Sequence, residues 1–406
     1  MKKYSIYMMA LIGMQSLMTS CNNNAGNGAS DKDTLNALVV ADGYDENFKV
    51  EAEAFADIQM LRYQIPGWNE LTAQQKEMAY YLYEAALCGR DILYDQKSKY
   101  GLMLRKTLDA VYTSYKGDKN TDEWKKFEEY CAQFWFSSGN HHHYGNEKFF
   151  PQCRSEYFAD IIKNSDAAQL PLENGETVDV FWAKIKPILY DPKVEPKLVD
   201  LRANIDNVKA SSVNFYENVT QKEVEDFYGK MDTSYNAPSW GLNSKTLKEN
   251  GAVVEKVWKV GGMYSSAIEK IIGWLEKASA VAENVQQKKA LDLLIQFYRT
   301  GDLKTFDDYS IAWAQDTASR LDVVNGFIEV YLDPIGKKGS YESVVSMKDM
   351  EATKRIAAIA KNAQWFEDNS PLMPEHKKKQ VKGITAKAIT VIVESGDAAP
   401  STPIGV

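Results

Sequence analysis

The chain has 406 residues, of which 44% are hydrophobic and 26% are charged, and its formal net charge is −8. This balance is ordinary for a globular protein with one large core or several domains. The negative charge argues against nucleic acid as the main partner, because the basic cluster Lys377 to Lys379 is only three residues long.

The first residues have the pattern of a targeting segment. Lys2 and Lys3 precede an apolar run, and Leu17-Met-Thr-Ser-Cys21 reads as a lipoprotein cleavage box. We therefore predict a signal peptide over residues 1–20, lipidation at Cys21 and a flexible tether over 21–38, which is rich in Asn, Gly and Ser. The expected product is an exported lipoprotein, held to a membrane by its lipid and facing the periplasm.

Helical periodicity covers most of the remaining chain. Thr220 is a predicted helix cap, and Gly301 is predicted to end a helix. The predicted helices span 71–93, 102–115, 121–136, 156–163, 178–189, 221–231, 264–282 and 285–300.

Strand character is sparse and concentrated near the end of the chain. Residues 326–331 are apolar and aromatic, and 384–393 are β-branched and partly alternating. Residues 347–362 and 374–381 look helical between these strands. The predicted fold class is therefore α+β and predominantly helical, with many helices around a small sheet core.

Three consecutive histidines, His141 to His143, raise the question of a metal site. On a strand, His141 and His143 face the same way and could chelate an ion. A zinc-binding helix needs two histidines about one turn apart with a glutamate between them, and the remaining histidine, His376, completes no such pair. We therefore assign no residue of this chain to a metal. The other interpretation of the triplet is a loop that lines a cleft.

Glu329 and Tyr331 lie two residues apart on a predicted strand, so both side chains would point to one face. A carboxylate can hold an ammonium group, and a phenol can donate a hydrogen bond to a carbonyl oxygen as negative charge develops on it. From spacing alone, a strand-edge glutamate and a core tyrosine remain the simpler interpretation.

Three segments resemble, in order and rough spacing, those of the dipeptidyl peptidase III metallopeptidases, bacterial members included. They are Gly139-Asn-His-His-His-Tyr-Gly-Asn-Glu-Lys-Phe-Phe-Pro151, Gly326-Phe-Ile-Glu-Val-Tyr-Leu-Asp-Pro334 and Ala399-Pro-Ser-Thr-Pro-Ile-Gly-Val406. The resemblance covers roughly residues 40 to 406. It implies a zinc-dependent exopeptidase that releases dipeptides from the amino end of short peptides.

The resemblance also implies roles for particular residues. Glu329 would bind the ammonium group of the peptide, and Tyr331 would donate the catalytic hydrogen bond in the transition state. Tyr144 and His143 would line the substrate cleft. The substrate would pair as an added strand with the edge segment that contains Ser401, Pro403 and Ile404.

The implied architecture has two lobes, with a small β-barrel core in the lower lobe and zinc in a helical upper lobe. We expect the lower lobe over 39–340, the first part of the upper lobe over 341–393, and a returning strand over 394–406. The family's zinc-binding His-Glu-x-x-x-His segment is not in the sequence, which stops at Val406 inside the third matching segment. We therefore expect a partial sequence or a truncated reading frame, and a 406-residue chain that alone neither holds catalytic zinc nor cleaves peptides.

Two other functions remain open at this point. One is a non-catalytic, lipid-anchored protein that binds peptides with the same residues. The other, which sets the resemblance aside, is a helical surface lipoprotein with an unknown ligand. A cytoplasmic location, as in many members of the family, is the alternative to export.

Overall fold

A computed structural model of the chain describes residues 47–381 and 387–400. The predicted signal peptide over 1–20, the lipidated Cys21 and the tether over 21–38 lie outside the described residues. The same holds for Ser401, Pro403 and Ile404. Among the described helices, none combines the length and the apolar character that crossing a membrane requires.

The chain is a mixed α+β protein, as the sequence predicts, and about 44% of the described residues are helical. The helices are α1 Ala73–Cys88, α2 Arg90–Lys97, α3 Gly101–Ser114, α4 Asp122–Phe136, α5 Ser155–Lys163, α6 Val178–Tyr190, α7 Asn207–Ala210, α8 Gln221–Tyr228, α9 Ser265–Ala280, α10 Val285–Thr300, α11 Leu303–Gln315, α12 Met350–Ala360 and α13 Ala363–Asp368. Short 3-10 helices occupy Trp68–Glu70 and Pro374–His376.

The strands are β1 Glu51–Phe55, β2 Ile58–Leu61, β3 Tyr216–Glu217, β4 Ser244–Glu249, β5 Ala252–Val257, β6 Leu321–Phe327, β7 Tyr341–Lys348 and β8 Ile389–Gly396. They form three sheets, in the orders β1-β2, β3-β4-β5 and β6-β7-β8. The sheet that matters for function is the last one, in which β7 lies in the middle and pairs antiparallel with both neighbours.

The expected β-barrel is not present among the described residues. Their strands belong to separate sheets of two or three strands, and none of these sheets closes on itself. The division into two lobes stays a prediction. The expected boundary between the lobes, residue 341, is the first residue of β7. This strand pairs with β6, so both strands belong to one sheet although the boundary was expected between them.

The largest hydrophobic core lies where α1, α9, α10 and α11 pack around the β6-β7-β8 sheet. Every residue of β7 is buried, and Phe327 and Tyr341 are fully enclosed at the end of the sheet where β6 finishes. Burying one such side chain stabilises the fold by about 2 kcal/mol. A second core of aromatic and aliphatic side chains joins α3, α4, α5 and α6.

Local signals placed the helix ends well. Thr220 accepts a hydrogen bond from the backbone of Glu223 and caps α8, and Gly301 ends α10 in a left-handed conformation with φ 71°. The predicted helix over 71–93 is interrupted at Gly89, where α1 gives way to α2. The buried ring of Tyr341 in β7 packs against Gly89, so that a Cβ at this position would overlap the ring.

Predictions near the end of the chain need correction. Residues 341–348 form a strand, although they were assigned to the helical upper lobe, and the predicted helix over 374–381 is only the 3-10 turn Pro374–His376. The predicted strand over 384–393 is observed as Ile389–Gly396. Helix α12 lies inside the predicted span 347–362.

Candidate functional site

Glu329 and Tyr331 follow strand β6 but do not lie on it. The strand ends at Phe327, and irregular pairing continues only as far as Glu329, whose carbonyl oxygen accepts from the Ser340 N–H at 2.8 Å. Tyr331 begins a turn, and its side chain is 79% exposed. The argument that both side chains share one face of a strand is therefore wrong, since the alternation of a strand no longer applies beyond Glu329.

Two buried charged residues hold the loop that carries Tyr331. The Asp333 carboxylate accepts hydrogen bonds from the backbone N–H groups of Ile335, Lys337 and Lys338, and from the hydroxyl of Tyr216. These bonds measure between 2.7 and 3.1 Å. Four donors on one carboxylate fix the conformation of the turn, because each of them would lose its partner if the loop moved.

Lys338 anchors the far end of the same loop. Its ammonium group is fully buried and donates to Thr246 Oγ1 at 2.7 Å, to Ser244 Oγ at 3.1 Å and to the Tyr228 hydroxyl. Burial lowers the pKa of Lys338 to about 8. The loop is thus tied to strand β4 as well as to its own sheet.

Acidic side chains converge where this loop begins. Glu342 in β7 is only 6% exposed, and burial together with Asp397, Glu329 and Glu394 raises the pKa of its carboxyl group to about 8. Glu342 lies directly opposite Gly326 in β6 and Gly396 in β8. Gly396 has a φ of 68°, and a Cβ there would stand 2.9 Å from the Cα of Glu342, so only glycine allows this close approach of the two strands.

A serine and a lysine balance part of this negative charge. Ser340 Oγ lies 3.1 Å from the Glu329 carbonyl oxygen and 2.9 Å from Asp397 Oδ2. Lys97 Nζ lies 4.0 Å from Asp397 Oδ1 and is almost fully buried, which lowers the pKa of its ammonium group. The ammonium group of Lys97 pairs with only one of these carboxyl groups, that of Asp397. The cluster formed by Glu329, Glu342, Glu394 and Asp397 therefore favours a further cation.

Lys97 also joins this carboxylate cluster to the segment that contains the histidines. Its ammonium group donates to the Ser137 carbonyl oxygen at 2.8 Å. Its Cβ and Cδ atoms lie 3.6 Å from the position that a Cβ on Gly139 would take. The fold thus connects two of the three sequence motifs, 139–151 and 326–334, through a residue that belongs to neither.

The histidine triplet lies on a short hairpin-like segment in which His141 pairs with Lys148. His141 Nε2 lies 2.8 Å from the Glu195 carbonyl oxygen, and burial lowers the pKa of His141 to about 4, so the ring is neutral. His142 Nδ1 accepts from the backbone N–H groups of Tyr144 and Gly145, and its Nε2 faces Asp57 at 3.7 Å. The Nδ1 atoms of His141 and His143 are buried and have no hydrogen-bond partner, so these contacts occupy only some of the ring nitrogens of the triplet.

His143 and Tyr144 occupy the exposed end of this segment. The His143 ring stacks on His142 at 4.5 Å and meets Phe136 edge-on at 5.2 Å, and burial lowers its pKa. Tyr144 is 72% exposed. Their roles in substrate contact stay predictions. In the part of the chain that the structure describes, no group of three His, Cys, Asp or Glu side chains is arranged to hold a metal ion.

Sequence reasoning missed Glu342, Asp397, Lys97 and Asp333. A signal was available for Glu342, because a carboxylate next to Tyr341 and before Ser343-Val-Val345 is unusual in a buried strand. Asp333 stood inside the matching nonapeptide without an assigned role. Lys97 and Asp397 are 300 residues apart and gave no local signal, since only the fold brings them together.

Comparison with known proteins points to one family. The family model for peptidase family M49 matches residues 200–399. Dipeptidyl peptidase 3 of Nematostella vectensis is 24% identical over 376 residues, which cover 80% of this chain and 51% of the relative. Dipeptidyl peptidase 3 of Rattus norvegicus is 22% identical over 306 residues, which cover 69% of this chain and 41% of the relative.

The fold agrees with this assignment. The structure of DPP III from Caldithrix abyssi superposes with a TM-score of 0.56 at 17% identity, and the match covers 82% of this chain and 51% of that one. The chain thus spans about half the length of the relatives it matches. The matched sequence segments, the family model and the shared fold agree, and the chain belongs to the dipeptidyl peptidase III family, peptidase family M49.

Proposed function

We propose that this chain carries peptide-binding residues of a zinc-dependent dipeptidyl peptidase, which releases dipeptides from the amino end of short peptides. The observation that carries the proposal is that Glu329, Glu394 and Asp397 lie close enough to the buried Glu342 for their charges to raise its pKa, in a chain of this family. An excess of carboxylates in a partly dry site attracts a cationic group such as the free amino end of a peptide.

Glu329 and Tyr331 have separate roles in this proposal. Glu329 binds the ammonium group of the substrate and so sets the register of the peptide. The exposed phenol of Tyr331 donates a hydrogen bond to the carbonyl oxygen of the bond to be cleaved, as negative charge develops on it. His143 and Tyr144 contact the substrate from the segment to which Lys97 ties the site.

Zinc enters the proposal at the level of the family only. The residues of this chain do not fit the ion, because no group of three possible ligands comes together among the described residues and no His-Glu-x-x-x-His segment occurs in the sequence. Zinc would supply an activated water molecule as the nucleophile. No residue named here is assigned to that step.

A non-catalytic peptide-binding protein is the alternative that the sequence left open. The family model and the curated relatives described above are those of peptidases, so the comparisons do not support it. The lipid anchor at Cys21 and the export of the chain stay predictions.

Glu329→Gln is expected to weaken the binding of tetra-alanine by about tenfold or more, because an uncharged amide loses the charge-assisted contact to the ammonium group. Isothermal titration calorimetry with the 406-residue chain measures this loss. N-acetylated tetra-alanine, which has no ammonium group, is expected to bind weakly to both proteins. Tyr331→Phe is the matched control, with affinity within about threefold of the parent because its hydroxyl acts in the transition state.

Equal affinity for the free and the acetylated peptide would contradict recognition of the amino end. The same holds if Glu329→Gln binds tetra-alanine as tightly as the parent chain.

A further inference from the structure

Glu342 is the most deeply buried of the four carboxylates in the cluster, since the other three are only partly buried. Only 6% of the Glu342 residue is exposed to solvent. Across residues 47–381 and 387–400, no side chain or backbone group donates a hydrogen bond to its carboxylate. A buried carboxylate without a donor is costly when ionised, so such a group is expected to keep its proton until a cation arrives.

The surroundings of Glu342 explain both its burial and its lack of partners. Its two direct cross-strand neighbours are Gly326 and Gly396, and neither has a side chain that could donate to it. Ile328 Cδ1 lies 3.1 Å from the position that a Cβ on Gly326 would take, so an apolar group covers that side. The remaining neighbours of the Glu342 carboxylate are the other three carboxylates, and a cationic group could bind between them.

The charged groups that face Glu342 come from each element packed around it. Glu329 faces it from the segment after β6, and Glu394 and Asp397 face it from β8 and the residue just after that strand. Lys97 from α2 is the cation of the cluster and is already shared between Asp397 and the Ser137 carbonyl oxygen. Tyr63 is a neutral neighbour of Glu394, whose charge raises the pKa of that phenol.

We propose that Glu342 is a second carboxylate of the ammonium site, and that it releases its proton to solvent when the amino group of a peptide binds beside Glu329. The inference rests on the proposed function and adds a coupling between peptide binding and protonation. The exchange is balanced: a neutral carboxyl and a free ammonium ion become a carboxylate–ammonium pair and one hydrated proton. Burial, together with repulsion from three carboxylates, keeps Glu342 protonated in the empty site, and the charge of the incoming ammonium group offsets both effects.

The coupling has a measurable consequence. At pH 6 to 7 the amino group of a short peptide is mostly charged, since its pKa is about 8. Over this range the affinity for tetra-alanine is expected to rise about five- to tenfold per pH unit, because fewer protons must leave Glu342 as the pH increases. About one proton should be released per peptide bound.

Isothermal titration calorimetry in two buffers with different ionisation enthalpies tests this on the full 406-residue chain, with tetra-alanine as the probe. Glu342→Gln mimics the protonated side chain in shape and charge, and it is expected to bind more weakly at pH 7 with neither pH dependence nor proton release. Glu375→Gln, which removes an exposed carboxylate of the 3-10 turn Pro374–His376, is the matched control and should behave as the parent.

The outcomes separate the two proposals. Tetra-alanine binding without proton release, or proton release that persists in Glu342→Gln, overturns the role of Glu342 and leaves recognition of the amino end intact. Failure of the parent chain to distinguish tetra-alanine from its acetylated form overturns both. A loss of proton release confined to Glu342→Gln supports the coupling.

Discussion

Replacing Gly89 with alanine is expected to lower the free energy of unfolding by about 3 kcal/mol. A Cβ at this position would overlap Cζ, Cε1 and Cε2 of Tyr341. The ring cannot move aside, because it is fully buried and its hydroxyl donates to the Ala86 carbonyl oxygen at 3.0 Å and accepts from Asn325 Nδ2 at 3.3 Å. Urea denaturation followed by circular dichroism measures the loss.

The chain offers a matched control for this substitution. Gly273 lies on the exposed side of α9, and a Cβ there would meet nothing within 4 Å. Gly273→Ala is therefore expected to raise the free energy of unfolding by about 0.5 to 1 kcal/mol, because alanine favours a helix more than glycine does. Similar effects at both positions would show that the Tyr341 ring does not determine the cost at Gly89. A penalty at Gly89 that is undiminished in a Tyr341→Leu background would lead to the same conclusion.

Gly89 also illustrates what the sequence could and could not predict. The helical periodicity from 71 to 93 is a local property, so the helix was predicted, and so were the cap at Thr220 and the end at Gly301. The ring that packs against Gly89 belongs to a tyrosine in a strand more than 250 residues later, as the separation of Tyr341 from Ala86 shows. No local pattern contains that contact.

Strand β7 escaped prediction for a related reason. Its residues Tyr341–Lys348 are all buried, yet Glu342, Ser343, Ser346 and Lys348 are polar, so neither an apolar run nor a clear alternation marks the strand. Burial of two of these polar groups is made tolerable by hydrogen bonds to backbone carbonyl oxygens, from Ser343 to Val324 at 3.0 Å and from Lys348 to Thr317 at 2.9 Å. The strand is defined by its neighbours rather than by its own composition.

The candidate site likewise combines a residue that a local motif identifies with residues that only the fold brings together. Glu329 was identified through a family motif, and its neighbours in that motif gave a chemical role that spacing alone did not favour. Glu342 and Asp397 come from other strands and loops, and Lys97 comes from a helix near the start of the described chain. A carboxylate cluster assembled from distant segments becomes visible only when the sheet has formed.

Asp333→Ala is expected to lower the free energy of unfolding by about 3 kcal/mol and to loosen the loop that carries Tyr331. The Asp333 carboxylate is 5% exposed, and its removal leaves three backbone N–H groups and the Tyr216 hydroxyl without their acceptor. Hydrogen exchange of the Ile335, Lys337 and Lys338 amides should become faster, whereas the amides of β7 should remain protected because their sheet partners are intact.

Asp333→Asn is the matched control, because the amide keeps the shape of the side chain and one acceptor oxygen. It should lose less stability than alanine does, about 1 to 2 kcal/mol, with intermediate exchange in the loop. Unchanged exchange at Lys337 and Lys338 in Asp333→Ala would show that other contacts hold the loop, foremost the bonds of the Lys338 ammonium group to Thr246 and Ser244. If the prediction holds, Asp333 at the Asp-Pro end of the motif fixes the position of the loop that carries Tyr331.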